Sequence, residues 1–312
     1  MFNIVEKRKW YFLLSTIIIV PGLVAMIYST VVFGSPMKLS IDFTGGTLLE
    51  LRFEQAVQPT EVRSFFVDAG FTGTTVQTTQ DDRQVVVRTK EMDPQVKDGI
   101  LRNLAAAHGA IEELRFESVG PTVGAEVTRA ASVAVFAAAV LIIAFIVIAF
   151  RKVPNAFRYG VCAVAAMIHD ILVTVGLFSI AGLIANWEAD ALFLTAILTV
   201  IGFSVQDTIV VFDRIRENIP KRRGEPFETV VNRSLLETIH RSLATQLNAI
   251  FVLIAILIFG GATIKQFVAV LLVGLLSGTY SSIFNAVPLL VVWEYGELGK
   301  AVRRLLGRPA AA

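Results

Sequence analysis

"GFSVQDTIVVFDRIREN", residues 202–218, starts inside an apolar segment and ends in a run of charges. Its reading sets the class of fold, because a carboxylate, Asp207, stands in a stretch otherwise rich in Val, Ile and Phe. If the stretch crosses a membrane, that carboxylate costs about 2.5–3.5 kcal/mol even on lenient insertion scales, and more if isolated. A cationic or histidine partner, water, or a function that needs the charge would offset the cost.

The surrounding composition places the stretch in a membrane. Of 312 residues, 54% are hydrophobic and 17% charged, and the mean hydropathy is +0.66. A soluble domain carries about 25% charged residues. The net charge of +2 is too mild to suggest a nucleic acid partner. One cysteine, Cys162, excludes an intramolecular disulfide and a cysteine-based metal site, and its apolar surroundings suit packing.

Residues 10–33 form an apolar run behind a basic start, too long for the core of a signal peptide and long enough to span a bilayer as an uncleaved anchor. Five further runs, at 131–150, 157–185, 191–212, 243–259 and 267–293, predict six transmembrane helices. Lys7, Arg8 and Lys9 precede the first run, and Arg151, Lys152 and Arg158 fill the link between the second and third. Arg214, Arg216, Lys221, Arg222 and Arg223 follow the fourth, and Arg303, Arg304 and Arg308 follow the sixth. "NWEAD", 186–190, has acids and no bases. The positive-inside rule then predicts that both termini are cytoplasmic.

Residues 34–128 are left outside the cytoplasm. "KLSIDFTGGTLLELRFE" alternates as a strand does, and "PTEVRSFFVDAG" has a helical start and stop. A hairpin is predicted around Asp81 and Asp82, then a helix between Asp93-Pro94 and Gly109, then a strand over "IEELRFESVG". This order is the ferredoxin-like βαββαβ plan. Phe65, Phe66 and the valines at 85–87 read as its core. The expected fold is a polytopic α-helical membrane protein with six transmembrane helices and a small α+β ferredoxin-like extracytoplasmic domain. Its divisions are 1–33, the amino terminus and first helix; 34–128, the external domain; 129–295, a five-helix bundle; and 296–312, a basic cytoplasmic tail.

Four stretches carry a resemblance: "SIDFTGGTLLE" (40–50), "RFESVGPTVGAEV" (115–127), "IGFSVQDTIVVFDRIREN" (201–218) and "NRSLLETIHRSLATQL" (232–247). In this order and topology the chain resembles the SecF members of the SecD/SecF family, within the resistance–nodulation–division superfamily. The resemblance implies a multi-pass subunit in the bacterial cytoplasmic membrane, in contact with its lipids. It implies SecD as partner, the SecYEG channel and SecA pathway as context, YajC as a further candidate, and unfolded preprotein as substrate. The proton-motive force would drive the work, although Na⁺ replaces H⁺ in some relatives.

The residues can be argued beside the resemblance. Burial penalises a charged carboxylate and a nearby cation favours it, so a group poised between the two can exchange a proton near neutral pH. Such groups mark intramembrane relays. The cation expected for Asp207 is Arg241, with Thr245 one turn further on the same face; the family has an arginine and a threonine at the matching positions. Arg241 could instead snorkel to headgroups. His240, Gln246 and Asn248 depart from the small hydroxyl residues common in relatives.

His169 and Asp170, inside the third run, are a secondary relay candidate: the histidine could shuttle protons, or the aspartate could fix its tautomer. Neighbours on a helix point about 100° apart, which puts the two on different faces. Gly274, Ser277, Gly278, Ser281 and Ser282 read as a face for close helix packing. Asp42, Gly45 and Gly46 read as an ectodomain hinge motif, the glycines allowing a bulge or a tight backbone approach. No Gly-Lys-Ser/Thr follows them, which excludes a phosphate loop. No HExxH or GxSxG is present and there are three histidines, so no enzyme, metal site or cofactor is expected. The rival readings are a half-transporter for lipids or small molecules, a structural scaffold, and an external sensor. A single set of six spans also reads as one half of a two-part transporter.

Overall fold

The computed structural model describes residues 3–78, 82–151 and 155–296. Asp81 of the expected hairpin, Lys152 and the tail from 297 onward, with Arg303, Arg304 and Arg308, lie outside the described residues. The chain forms two compact units, Leu39–Ser132 and the remainder on either side of it. Among the described residues, six helical stretches are long and apolar enough to cross a membrane. The first is α1 (Arg8–Phe33).

In the Leu39–Ser132 unit, the Ser40 side chain accepts a hydrogen bond from the Asp42 backbone N–H and starts a short helix, α2 (Ile41–Thr44). That cap corrects the strand expected from residue 38: helical turn replaces it, and β1 begins at Gly46 (Gly46–Phe53). There follow α3 (Pro59–Asp68), β2 (Thr75–Thr78), β3 (Gln84–Thr89), α4 (Pro94–His108) and β4 (Ile111–Val119). Both α3 and α4 open on proline, where the missing N–H costs no helical bond. Asp93 caps α4 by accepting from the Gln95 N–H.

The sheet is antiparallel in the order β2-β3-β1-β4, the ferredoxin-like arrangement. Leu49, Leu51 and Phe53 of β1 share one face with Val85 and Val87 of β3, and this face buries Val62, Phe66 and Leu104 of the helices. Phe65 packs on the edge of this core. The period-2 alternation therefore decides which side of the sheet is covered.

The other unit continues through α5 (Pro121–Ala149), α6 (Ala156–Ala185), α7 (Ala191–Lys221), α8 (Phe227–Phe259) and α9 (Ala262–Ser281). Its last apolar run is not one regular helix. A π-helical turn, Ser282–Ala286, separates α9 from α10 (Val287–Glu294). Pro288 follows directly; it lacks an N–H and crowds the carbonyl one turn before it, so the regular ladder gives way there.

α7 and α8 also run well past their apolar stretches. Their extensions are tied by Arg214 to Glu237 at 2.6 Å and by Asn218 to Ser234 at 2.9 Å, bonds that apolar periodicity does not signal. α6, α7 and the last span are half-buried or more, whereas α1, α5 and α8 turn most of their apolar surface outward. Gly22 of α1 and Gly176 of α6 meet so closely that a Cβ on Gly22 would lie 2.8 Å from the Gly176 Cα. The core joins Phe150, Tyr159, Phe212, Leu235 and Leu290, and Cys162 lies within it as a packing residue.

Candidate functional site: two buried carboxylates in the helical bundle

Asp207 lies on the buried side of α7 and is 5% exposed. Its Oδ2 accepts a hydrogen bond from Gln246 Nε2 of α8 at 2.6 Å. Gln246 is itself 4% exposed. The expected partners are elsewhere: Arg241 and Thr245 are exposed, and the Thr245 hydroxyl donates to the Arg241 carbonyl of its own helix at 3.0 Å. The physical reason is the rotation of α8. Its buried face is a row at four-residue spacing, Ser234, Thr238, Ser242 and Gln246, and Arg241 and Thr245 stand one residue off that row. Gln246 was noted in the sequence only as a departure from the family; its burial is what makes it the partner.

Arg241 lines a groove of about 500 Å³ between the α7 and α8 extensions, with Asp213, Arg214, Glu217, Glu237 and Thr238 among its other walls. Its guanidinium thus sits in an ion-rich, open setting rather than against Asp207.

Asp170 is more enclosed, at 1% exposed. Its Oδ2 accepts from Ser204 of α7 at 2.5 Å and Ser281 of α9 at 2.6 Å. Its Oδ1 accepts from Ser277 of α9 at 2.6 Å and faces His169 Nδ1 at 3.0 Å. Two expectations change. Ser277 and Ser281, read as a packing face, are donors to a carboxylate, while Gly278 between them lets α9 approach: a Cβ there would lie 3.3 Å from the Ser204 Cα. His169 and Asp170 point differently from the backbone, yet their side chains bend into contact, because the histidine is long enough to reach back across the gap.

The histidine continues the network. Its ring stacks near Tyr280, with centroids 6.1 Å apart, and the Tyr280 hydroxyl donates to the Tyr11 carbonyl of α1 at 2.7 Å. The π-helical turn aims Asn285 at Ser15 of α1, with Nδ2 to Oγ at 2.9 Å. Among the described residues, His169 Nε2 and Ser242 Oγ are buried without a hydrogen-bond partner. Serines isolated within apolar runs were the sequence signal for the Asp170 cluster, but no spacing rule says that α7 and α9 deliver theirs to one carboxylate.

Residues 100–296 match the family described as protein export membrane protein SecD/SecF, C-terminal. The chain belongs to the SecD/SecF family. Residues 30–57 match the SecD/SecF GG motif. The protein translocase subunit SecF of Anaerolinea thermophila is 48% identical over 100% of both chains, and that of Thermobaculum terrenum is 47% identical over 100% of both. A solved structure of SecDF, a translocon-associated membrane protein from Thermus thermophilus, superposes with a TM-score of 0.76 at 33% identity; the match covers 94% of this chain and 39% of that longer one.

The GG motif of this SecD/SecF member has a steric basis. Gly45 and Gly46 have φ of +70° and +114°, a region that favours glycine. A Cβ on Gly45 would lie 2.6 Å from the Pro121 Cα, and one on Gly124 would lie 2.7 Å from the Phe43 carbonyl oxygen. The segment that enters the Leu39–Ser132 unit and the helix that leaves it are therefore pressed backbone to backbone. Of the two expectations, tight approach is the one realised; the register irregularity of β1 falls between Glu50 and Leu51 instead. Asp42, half-buried, occupies the first turn of α2.

Proposed function

We propose that this chain is the SecF-type half of an export machine that, with a SecD-type partner, uses the proton-motive force to promote passage of unfolded proteins across the cytoplasmic membrane. Asp207 is the observation that carries this reading. It is a buried carboxyl in a membrane helix whose hydrogen-bond donor among the described residues is one neutral amide. Such a carboxyl gains or loses a proton with little rearrangement, since Gln246 can donate to one form and accept from the other. The membrane potential supplies about 2.3 kcal/mol per charge per 100 mV, so one or a few protons drive a conformational step.

In this reading the basic loops and both termini are cytoplasmic and the Leu39–Ser132 unit is external. There it holds polypeptide emerging from the SecYEG channel after the SecA-driven step, and YajC joins the assembly. Arg241, Thr245 and Asn248 form an exposed polar stripe on α8. A polar stripe on a membrane helix calls for a protein neighbour, which supports a partner half that completes the site and lets Arg241 and Thr245 tune Asp207. Asp170 with His169 is the secondary proton site. Asp42, Gly45 and Gly46 pass movement from the membrane to the external domain.

The test is translocation into membrane vesicles with an imposed pH gradient, at matched expression. Asp207→Asn assembles normally and loses the gradient-dependent part of export, while Asp207→Glu keeps some of it. A full response from Asp207→Asn would make Asp207 structural.

A further inference from the structure

The buried face of α8 carries polar side chains at every fourth position between the open groove and Asp207: Thr238, Ser242 and Gln246. All three are at least nine-tenths buried. The facing part of α7 is different. The bonds Asn218–Ser234 and Asp207–Gln246 fix an antiparallel register for the two helices, and this register sets Val210 and Val211 opposite Ser242. Opposite Ser242 the α7 side of the seam is therefore apolar, while the α8 side is a row of hydroxyl and amide groups.

Successive members of the row are about 6 Å apart along the helix axis, at 1.5 Å per residue. That is too long for direct hydrogen bonds and suits one bridging water per step. Thr238 is partnered, its hydroxyl donating to the Ser234 and Leu235 carbonyls at 3.1 Å. Gln246 is partnered by Asp207. Ser242, 3% exposed, has no partner for its buried hydroxyl among the described residues. An unmet buried hydroxyl is costly, and at Ser242 it lies one turn from the groove wall at Thr238 and one turn from the partner of Asp207.

We propose that Thr238, Ser242 and Gln246 form a water-bridged proton path from the groove to Asp207, with Ser242 as its obligatory middle link. The path rests on the reading of Asp207 as a proton site and adds its route and its side: protons exchange with Asp207 through the α7–α8 groove at the basic-loop end of the bundle. Other polar groups reach α7 one turn from Asp207. α6 brings Asp170 and His169 to Ser204, one turn along α7 from Asp207. α9 brings Ser277, Ser281 and Tyr280 to that same side. The groove holds Asp213, Arg214, Glu217, Glu237 and Arg241. The groove charges gather and release protons, and the α8 row carries them inward.

The experiment follows the Asp207 carboxyl by infrared difference spectroscopy of the full chain in native membranes after a pH jump. The Asp207 band is the one missing in Asp207→Asn. Ser242→Ala removes the hydroxyl without adding bulk, and Ser242→Val also fills the space; each slows the response of the band roughly tenfold or more while leaving its size unchanged. Ser242→Thr restores the rate. If the band responds as fast in Ser242→Ala and Ser242→Val as in the parent, the path is wrong and the Asp207 reading stands. If Asp207→Asn removes no responding band, the Asp207 reading fails and takes the path with it. Should Ser242→Val not fold, Ser242→Ala and Thr238→Val decide.

Discussion

Asp170 and Asp207 are both buried carboxyls in one bundle, and Ser204 donates to the first and lies one turn along α7 from the second. Their surroundings differ in kind. Asp170 is held by three serine hydroxyls and a histidine drawn from three helices. Among the described residues, Asp207 meets a single glutamine, next to a row that leads out to a charged groove. A carboxylate satisfied by several donors is fixed in place, and removing it strands every donor at once. One with a single ambivalent partner can change its proton count without disturbing its neighbours. Burial alone does not set how freely a carboxyl can change its proton count; the number and type of its donors do.

The largest expected effect follows from the crowded site. Asp170→Leu leaves Ser204, Ser277 and Ser281 without their acceptor and should lower stability by about 2–4 kcal/mol, seen in thermal unfolding of the detergent-solubilised protein. Asp207→Asn should stay within about 1 kcal/mol of the parent in the same assay, because an amide can still pair with Gln246. Equal losses from the two substitutions would erase the distinction between the two settings.

A finer test removes donors one at a time. Ser281→Ala should cost about 1 kcal/mol. Combining it with Ser277→Ala should not be simply additive, since both donate to one carboxylate. Additive, independent losses would mean that the cluster does not act as a unit.

The smallest effect belongs to an ordinary ion pair in the Leu39–Ser132 unit, where Lys97 Nζ lies 2.7 Å from Glu113 and 4.5 Å from the centre of the Phe116 ring. Burial of Lys97 works against its charge, but the Glu113 and Asp98 carboxylates outweigh it and raise its pKa above 10.5. The pair's contribution is present in full below about 10.5 and fades as pH climbs through the raised folded value. Lys97→Met should therefore cost about 0.2–1 kcal/mol at neutral pH and nothing in strong alkali, by chemical denaturation. A cost matching that of Asp170→Leu would overturn the ranking of the fully buried carboxyl over this partly covered pair.

Much of this architecture can be read in the chain. Long apolar runs announce the six helices, and alternation with turn residues announces βαββαβ. Those signals survive because each element must keep its apolar side away from water, in a core or in lipid, wherever it ends up. Asp207 was also legible, since a carboxylate amid Val, Ile and Phe is conspicuous. Its partner was not. Arg241 stood out by charge, while Gln246 became the partner through the rotation of α8. The Asp170 cluster was half-visible: His169-Asp170 and the small residues of α9 could each be named, but not their meeting.

Sequence by itself determined how many stretches are long and apolar enough to cross a membrane, which residues prefer it, and where a costly carboxylate sits, because transfer energies and hydrophobic periodicity act residue by residue. Only the tertiary structure decided who donates to each carboxylate. Those bonds depend on the rotation and register of helices far apart in sequence, which are set by packing: the close contact of Gly278 with Ser204, the touch of Gly22 and Gly176, and the π-helical turn before Pro288.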